Sequence, residues 1–395
     1  MAGEGREQGL FAVLERPVDA ASLAVFRTAL GALLAVEAAR FFLNGWIQAH
    51  LVAPPYHFPW IDGVAPLPGW GMYGVLGALL VLGVGLAVGW APRSCAALSA
   101  VGWTYVVAVD RALFLNHHYL AVLLCVLLAV MPRVGRFRRV PAWSLYTLRA
   151  LLVVVYFWAG VSKLDPDWFA GIPLWMTFRA ADVGALQGLL TRDVAVAASL
   201  GIIALEVLTP VLLPWRWTRL PAIAAYVAFH LATALLYGIG IFPWLSLALL
   251  QLWLPPDWPR RAFDPGERPP RDQPAPTPRS LLLAVGAFLV VQAVVPARGL
   301  WTEGHSSWTM EGQRFTWRLL TANKTGWVRF ELTEPTSGQV IEVSPLEVLT
   351  VFQASKMARD PFMVRDMARW LAAQQVAAGK PPVQVRVRSA VSLNG

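Results

Sequence analysis

The chain has 395 residues, of which 56% are apolar and 14% charged, with a mean hydropathy of +0.52. A water-soluble domain carries roughly 25% charge and about 45–50% apolar residues, so an ordinary soluble enzyme and a disordered chain are both excluded. The net charge of +9 does not by itself call for nucleic acid, because loop arginines of a membrane protein give the same total.

Nineteen Trp, 18 Phe and 8 Tyr fit aromatic belts at two water–lipid boundaries. Arg outnumbers Lys 29 to 4 beside abundant Ala, Gly and Pro, a bias expected of a GC-rich bacterial gene. Cys95 and Cys125 sit in or beside apolar runs and imply neither a disulfide framework nor a thiolate metal site. Glu4, Glu7, Glu15 and Asp19 spoil a basic leader, so the first apolar run is expected to stay as a helix.

A helix crossing the hydrocarbon needs about 20 residues. Nine runs qualify: Leu23–Leu43, Gly74–Trp90, Cys95–Val109, Leu113–Met131, Leu148–Leu164, Val194–Leu213, Leu220–Gly238, Ile241–Leu254 and Leu281–Val295. The third and eighth are short. With the N-terminus inside, the inside loops carry Arg93, then Arg133, Arg136, Arg138 and Arg139, then Arg216 and Arg219. The last inside loop adds Arg260, Arg261, Arg268, Arg271 and Arg279, whereas outside loops hold only Arg111, Lys163, Arg179 and Arg192. That asymmetry follows the positive-inside rule and puts Ala297–Gly395 outside. The expected fold is therefore a membrane all-α bundle of about nine helices, residues 1–297, then a small α+β domain, residues 298–395.

Pro255–Pro278 is a Pro/Arg-rich linker too polar to insert. In the tail, Trp327–Leu332 alternates, Ser337-Gly338 marks a turn and Val340–Val343 returns, which predicts a hairpin. Leu346–Gln375 reads as mostly helical, and Val383–Val391 as a strand whose partner lies beyond Gly395 in a truncated domain.

Polar groups inside apolar helices are costly and mark a cavity or a partner. Tyr156, Gly160 and Lys163 follow i, i+4, i+7 spacing and share one face; Gly160 admits a neighbouring helix. A snorkelling lysine is the bland alternative. Asn116, His117, His118 and Tyr119 open the fourth helix; adjacent histidines point apart, so a shared metal is not expected. His230, with Tyr226, Thr233 and Tyr237, forms a polar stripe on the seventh helix. Glu206, Arg27 and Glu37 are expected to be structural pairs or to sit at helix ends. Lys163, His117, Asn116 and His230 are expected to meet in one dry chamber near the outer leaflet, where burial would make the lysine a usable base and a histidine could stabilise the resulting oxyanion.

These residues resemble a known family. Tyr156-Phe157-Trp158-Ala159-Gly160, followed by Val161-Ser162-Lys163-Leu164-Asp165-Pro166-Asp167-Trp168, looks like the signature of vitamin K-dependent gamma-glutamyl carboxylase. Asn116-His117-His118-Tyr119-Leu120, Phe229-His230, Gly238-Ile239-Gly240-Ile241-Phe242-Pro243 and Asp257-Trp258-Pro259-Arg260 are similar to further elements of that family in the same order. Trp301-Thr302-Glu303-Gly304 and Phe315-Thr316-Trp317-Arg318 look like the start of its lumenal domain. The resemblance implies a carbon–carbon lyase in which vitamin K hydroquinone (menaquinol or phylloquinol) is oxidised by O2 to an epoxide. That oxidation drives removal of a proton from a glutamyl side chain and addition of CO2. It implies Lys163 as the base, His117 and Asn116 beside the reacting oxygen, and His230, Tyr156 and Tyr226 around the quinone, with no metal. It also implies the quinone pool and a Glu-containing peptide as partners; membrane lipid, no nucleic acid and a bacterial inner membrane are expected from the composition and the arginine asymmetry.

Three departures stand out. The family's paired lysines read Ser162-Lys163, no cysteine lies in the tail to form its disulfide, and no propeptide surface is recognisable. Quinol epoxidation without peptide carboxylation is therefore one alternative. A transporter is another, although no internal repeat is visible. A passive anchor for the tail would leave the buried histidines without a purpose.

Overall fold

A computed structural model describes residues 9, 11–135, 138–266, 270 and 272–395. Glu4 and Glu7, which argued against a leader, and Arg136, Arg268 and Arg271, which helped to orient the chain, lie outside the described residues.

The helices are α1 (Ala21–Leu43), α2 (Gly71–Val88), α3 (Pro92–Val109), α4 (Asn116–Val130), α5 (Trp143–Val161), α6 (Ile172–Ala180), α7 (Arg192–Val207), α8 (Arg219–Leu236), α9 (Phe242–Leu250) and α10 (Arg279–Val294). All nine apolar runs fall on helices. Among the described residues five helices are long and apolar enough to cross a membrane: α1, α2, α5, α8 and α10 with its 3-10 extension to Leu300. The fourth and eighth runs lie on shorter apolar helices, Asn116–Val130 and Phe242–Trp253. The sixth is split at Leu208, where Pro210 opens a separate turn, Thr209–Leu212.

Small residues set the packing, as expected where lipid tails are as apolar as leucine. A methyl at Gly31 of α1 would collide with Ala87 N, and one at Gly83 of α2 would lie 2.7 Å from Ala35 N, so these helices meet backbone to backbone. Gly160 of α5 does the same against α7: a methyl there would meet Val207 N at 2.7 Å and Glu206 Cβ at 2.8 Å. That contact sets Glu206 beside the end of α5.

Two short strands, β1 (Pro17–Asp19) and β2 (Arg139–Pro141), pair antiparallel ahead of α1 and α5. The C-terminal sheet holds β3 (Lys324–Thr333), β4 (Val340–Val343) and β5 (Gln384–Leu393) in the order β4-β3-β5. The expected hairpin is there, with Leu332 opposite Ile341. Contrary to the expected pairing beyond Gly395, the last strand has a partner among the described residues: β3, paired from Lys324–Leu393 to Thr333–Gln384. The helical stretch between is broken into α11 (Val351–Met357) and α12 (Pro361–Ala377), because Asp360 caps the backbone N–H groups of Phe362 and Met363 and Pro361 takes the first helical position.

Phe330, Met357, Met363 and Met367 form a second core that also takes in Phe58 and Ala112 from the membrane helices' connections. The docking is polar at its edges. Gln353 Nε2 donates to Asp110 Oδ2 at 2.7 Å, Asn394 Nδ2 donates to Asp167 Oδ2 at 2.7 Å, and Arg111 pairs with Asp366. α11 is thereby held against Asp110 at the end of α3 and against the turn Arg111–Leu113.

Candidate functional site

Lys163 follows the last turn of α5 and is 2% exposed, which rules out the snorkelling alternative. Its Nζ donates to Glu206 Oε2 at 2.8 Å and to Ala159 O at 3.1 Å, and lies 5.3 Å from the centre of the Trp168 ring. Asp165 caps the turn Pro166–Phe169 that carries Trp168, whose indole N–H donates to Thr321 O at 2.7 Å.

The stripe on α8 is the buried face of that helix: Ala222, Tyr226, His230 and Thr233. His230 Nε2 and the Tyr156 hydroxyl share a hydrogen bond of 2.6 Å, while His230 Nδ1 is buried without a partner. Tyr226 stacks on Tyr156 at 4.1 Å and bonds Thr209 and Leu205 O, so it braces Tyr156 from behind rather than lining the cavity. Lys163, Glu206, Tyr156 and His230 line a cavity of about 120 Å3, otherwise walled by Leu174, Phe178, Ile202, Phe229, Phe242, Leu319 and Leu320 among others.

Asn116 and His117 line a different pocket of about 460 Å3, with Glu37, Arg40, Trp46, Phe352 and Lys356. The single chamber expected from the sequence is therefore two. Phe242, Leu319 and Leu320 belong to both linings and form the partition. The histidines also depart from expectation. His118 Nε2 lies 3.1 Å and His117 Nε2 3.7 Å from the same Glu37 oxygen, because the rings meet edge to face at 4.5 Å. Ligand atoms of Glu37, His117 and His118 lie within 4.8 Å of one another, although Glu37 also pairs with Arg40 Nη1 at 2.6 Å. His118 is fixed by stacking on Trp103. His117 Nε2 and Asn116 Oδ1 are buried without a hydrogen-bond partner, and the Asn116 amide donates to Arg318 O at 3.5 Å.

Glu206 and Glu37 are paired, as expected, but with the candidate site itself. Arg27 is structural: its guanidinium donates to Leu86 O at 2.6 Å at the end of α2. Sequence reasoning passed over Arg40 and Lys356, and named Trp168 only as part of a motif, not as the ring beside the Lys163 ammonium. The usable signal for the acids was their cost, since a carboxylate inside an apolar helix needs a cation nearby.

The polar groups fit a quinol. An apolar slot with an amine–carboxylate pair at one side and an imidazole with a free nitrogen at another offers both a proton acceptor and a hydrogen-bond partner for ring oxygens. An apolar cavity of about 150 Å3 takes up benzene, so a two-ring head group needs Leu319 and Leu320 to yield toward the second pocket.

A mostly helical membrane protein with a buried lysine–glutamate pair and a small C-terminal sheet is the class these features define. Residues 15–258 match the HTTM domain, and residues 277–395 match the lumenal domain of vitamin K-dependent gamma-carboxylase. The chain belongs to the vitamin K-dependent gamma-carboxylase family, whose name carries dependence on vitamin K and a carboxylase-like activity. No solved structure matches the chain.

Proposed function

We propose that the protein is a vitamin K hydroquinone-dependent gamma-glutamyl carboxylase, coupling quinol epoxidation by O2 to proton removal from a glutamyl side chain and CO2 addition. One observation supports this most: in a chain of this family, the Lys163 amine is buried against Glu206 at the wall of an apolar cavity. When bound, the hydroquinone together with O2 supplies a base stronger than any side chain offers. The chain's own residues do the rest. Lys163 Nζ and Glu206 Oε2 are 2.8 Å apart; with the pair deprotonated, the Lys163 amine accepts the proton of an acidic hydroxyl, and the Glu206 carboxylate stabilises the ammonium that results. Tyr156 fixes His230, leaving Nδ1 free to hydrogen-bond a ring oxygen. His117, across the partition, presents its Nε2, free of a hydrogen bond, and as the protonated tautomer that nitrogen donates to an oxygen bearing negative charge; Asn116, whose amide donates to Arg318 O, positions this end of α4.

The same proposal places the chain in a bacterial inner membrane, with the N-terminus inside, nine spans and residues 298–395 outside. Its remaining partners are lipid and a Glu-containing peptide. Lys163→Ala removes the proton acceptor: oxygen-dependent epoxide formation by the purified protein is expected to vanish while its thermal unfolding remains cooperative. Unchanged epoxide yield would contradict the role.

A further inference from the structure

The pocket of about 460 Å3 has a charge balance that the quinol does not explain. Glu37 and Arg40 neutralise each other at 2.6 Å. Lys356, on the inner face of α11, has among the described residues no carboxylate or hydrogen-bond acceptor for its ammonium; its contact is the Phe352 ring at 5.4 Å. Arg359 and Arg314 add positive potential behind it. In the same pocket His117, 5% exposed, holds its Nε2 without a hydrogen bond, 3.7 Å from Glu37 Oε1. A half-buried cation with no counter-ion is costly and is relieved by an anionic ligand. The apolar walls, Trp46 and Phe352 among them, make the pocket larger than a free oxyanion needs.

We infer that this pocket is the subsite for the substrate's side-chain carboxylate, with Lys356 as the cation that binds it. Its walls come from α1, α4 and α11, so the subsite forms only where the C-terminal unit docks on the helices. It adjoins the Lys163 cavity through Phe242, Leu319 and Leu320, which sets an acidic side chain beside the proposed redox chamber. Lys356 thus selects Glu over Gln. This inference rests on the carboxylase reading above.

Binding tests it without turnover. The full protein in lipid nanodiscs is titrated with a short peptide carrying one Glu and with its Gln counterpart. The wild type is expected to favour Glu by about tenfold or more, the scale of one charge-assisted contact. Lys356→Gln is expected to erase the preference and Lys356→Arg to keep most of it. Equal affinity for the two peptides in the wild type, or the same preference in Lys356→Gln, would overturn the assignment. Displacement of the Glu peptide by millimolar bicarbonate would overturn it too, in favour of a small-anion site. Incorporation of labelled CO2 into the Glu peptide by the same wild-type preparation, given hydroquinone and O2, tests the carboxylase reading separately.

Discussion

At the scale of single residues, the account rests on charges that have no water to solvate them. Glu206→Gln leaves the Lys163 amine without its carboxylate while keeping shape. Breaking a buried pair costs about 3–5 kcal/mol, so both the unfolding temperature and the epoxidation rate should fall, the rate by at least about a hundredfold if the pair holds the proton. A normal rate in a destabilised variant would reduce Glu206 to a structural partner. Lys356 carries a pH prediction. Burial and the neighbouring Arg359 and Arg314 push its ammonium down to about 8. The groups facing it across the pocket are Arg40, Glu37 and His117. Below pH 8 it is cationic and holds a carboxylate; above pH 8 it is neutral. The preference for a Glu peptide should therefore be full at pH 7 and fade by pH 9, and a flat titration would contradict it.

At the scale of elements, glycine contacts position the chemistry. Gly160→Ala sets a methyl 2.7 Å from Val207 N and should push α7 off α5, separating Glu206 from Lys163. Overpacking of this kind costs typically 1–3 kcal/mol, measurable by thermal unfolding, and epoxidation should suffer beyond what that loss explains. The stretch behind the partition is strained: Phe315, Trp317 and Leu320 all have positive φ, near +62°, +56° and +53°. Such strain persists where surroundings over-determine it, here by Trp317 stacking on Tyr119 and Trp168 holding Thr321 O. Much of this level was legible in the sequence. Periodicity placed Tyr156, Gly160 and Lys163 on one face and gave the His230 stripe, because a buried polar row inside an apolar helix has no other explanation. What was not legible came from long range. Glu37 lies 81 positions from His118, and no local pattern says that two adjacent histidines will bend toward one distant carboxylate. Nor does Lys356 announce itself: it reads as a surface lysine on a short helix until the C-terminal unit docks. The strand pairing of β5 was missed for the same reason, its partner lying some sixty residues upstream.

For the whole molecule, the sidedness inferred from arginines is open to direct labelling. Cys95 and Cys125 are both buried, so native thiols give little background. Ser337→Cys, in the turn between β3 and β4, should react with an impermeant maleimide from the outside of intact spheroplasts; reaction only after permeabilisation would reverse the orientation. The central claim is that oxidation of the hydroquinone beside Lys163 is spent on fixing CO2. The most direct measurement follows labelled carbon from bicarbonate into a Glu peptide, using the full protein in nanodiscs with vitamin K hydroquinone and O2. The account predicts label on the Glu peptide and none on its Gln counterpart, none without hydroquinone, and none with Lys163→Ala. Epoxide accumulating in the wild type while the peptide stays unlabelled would contradict it.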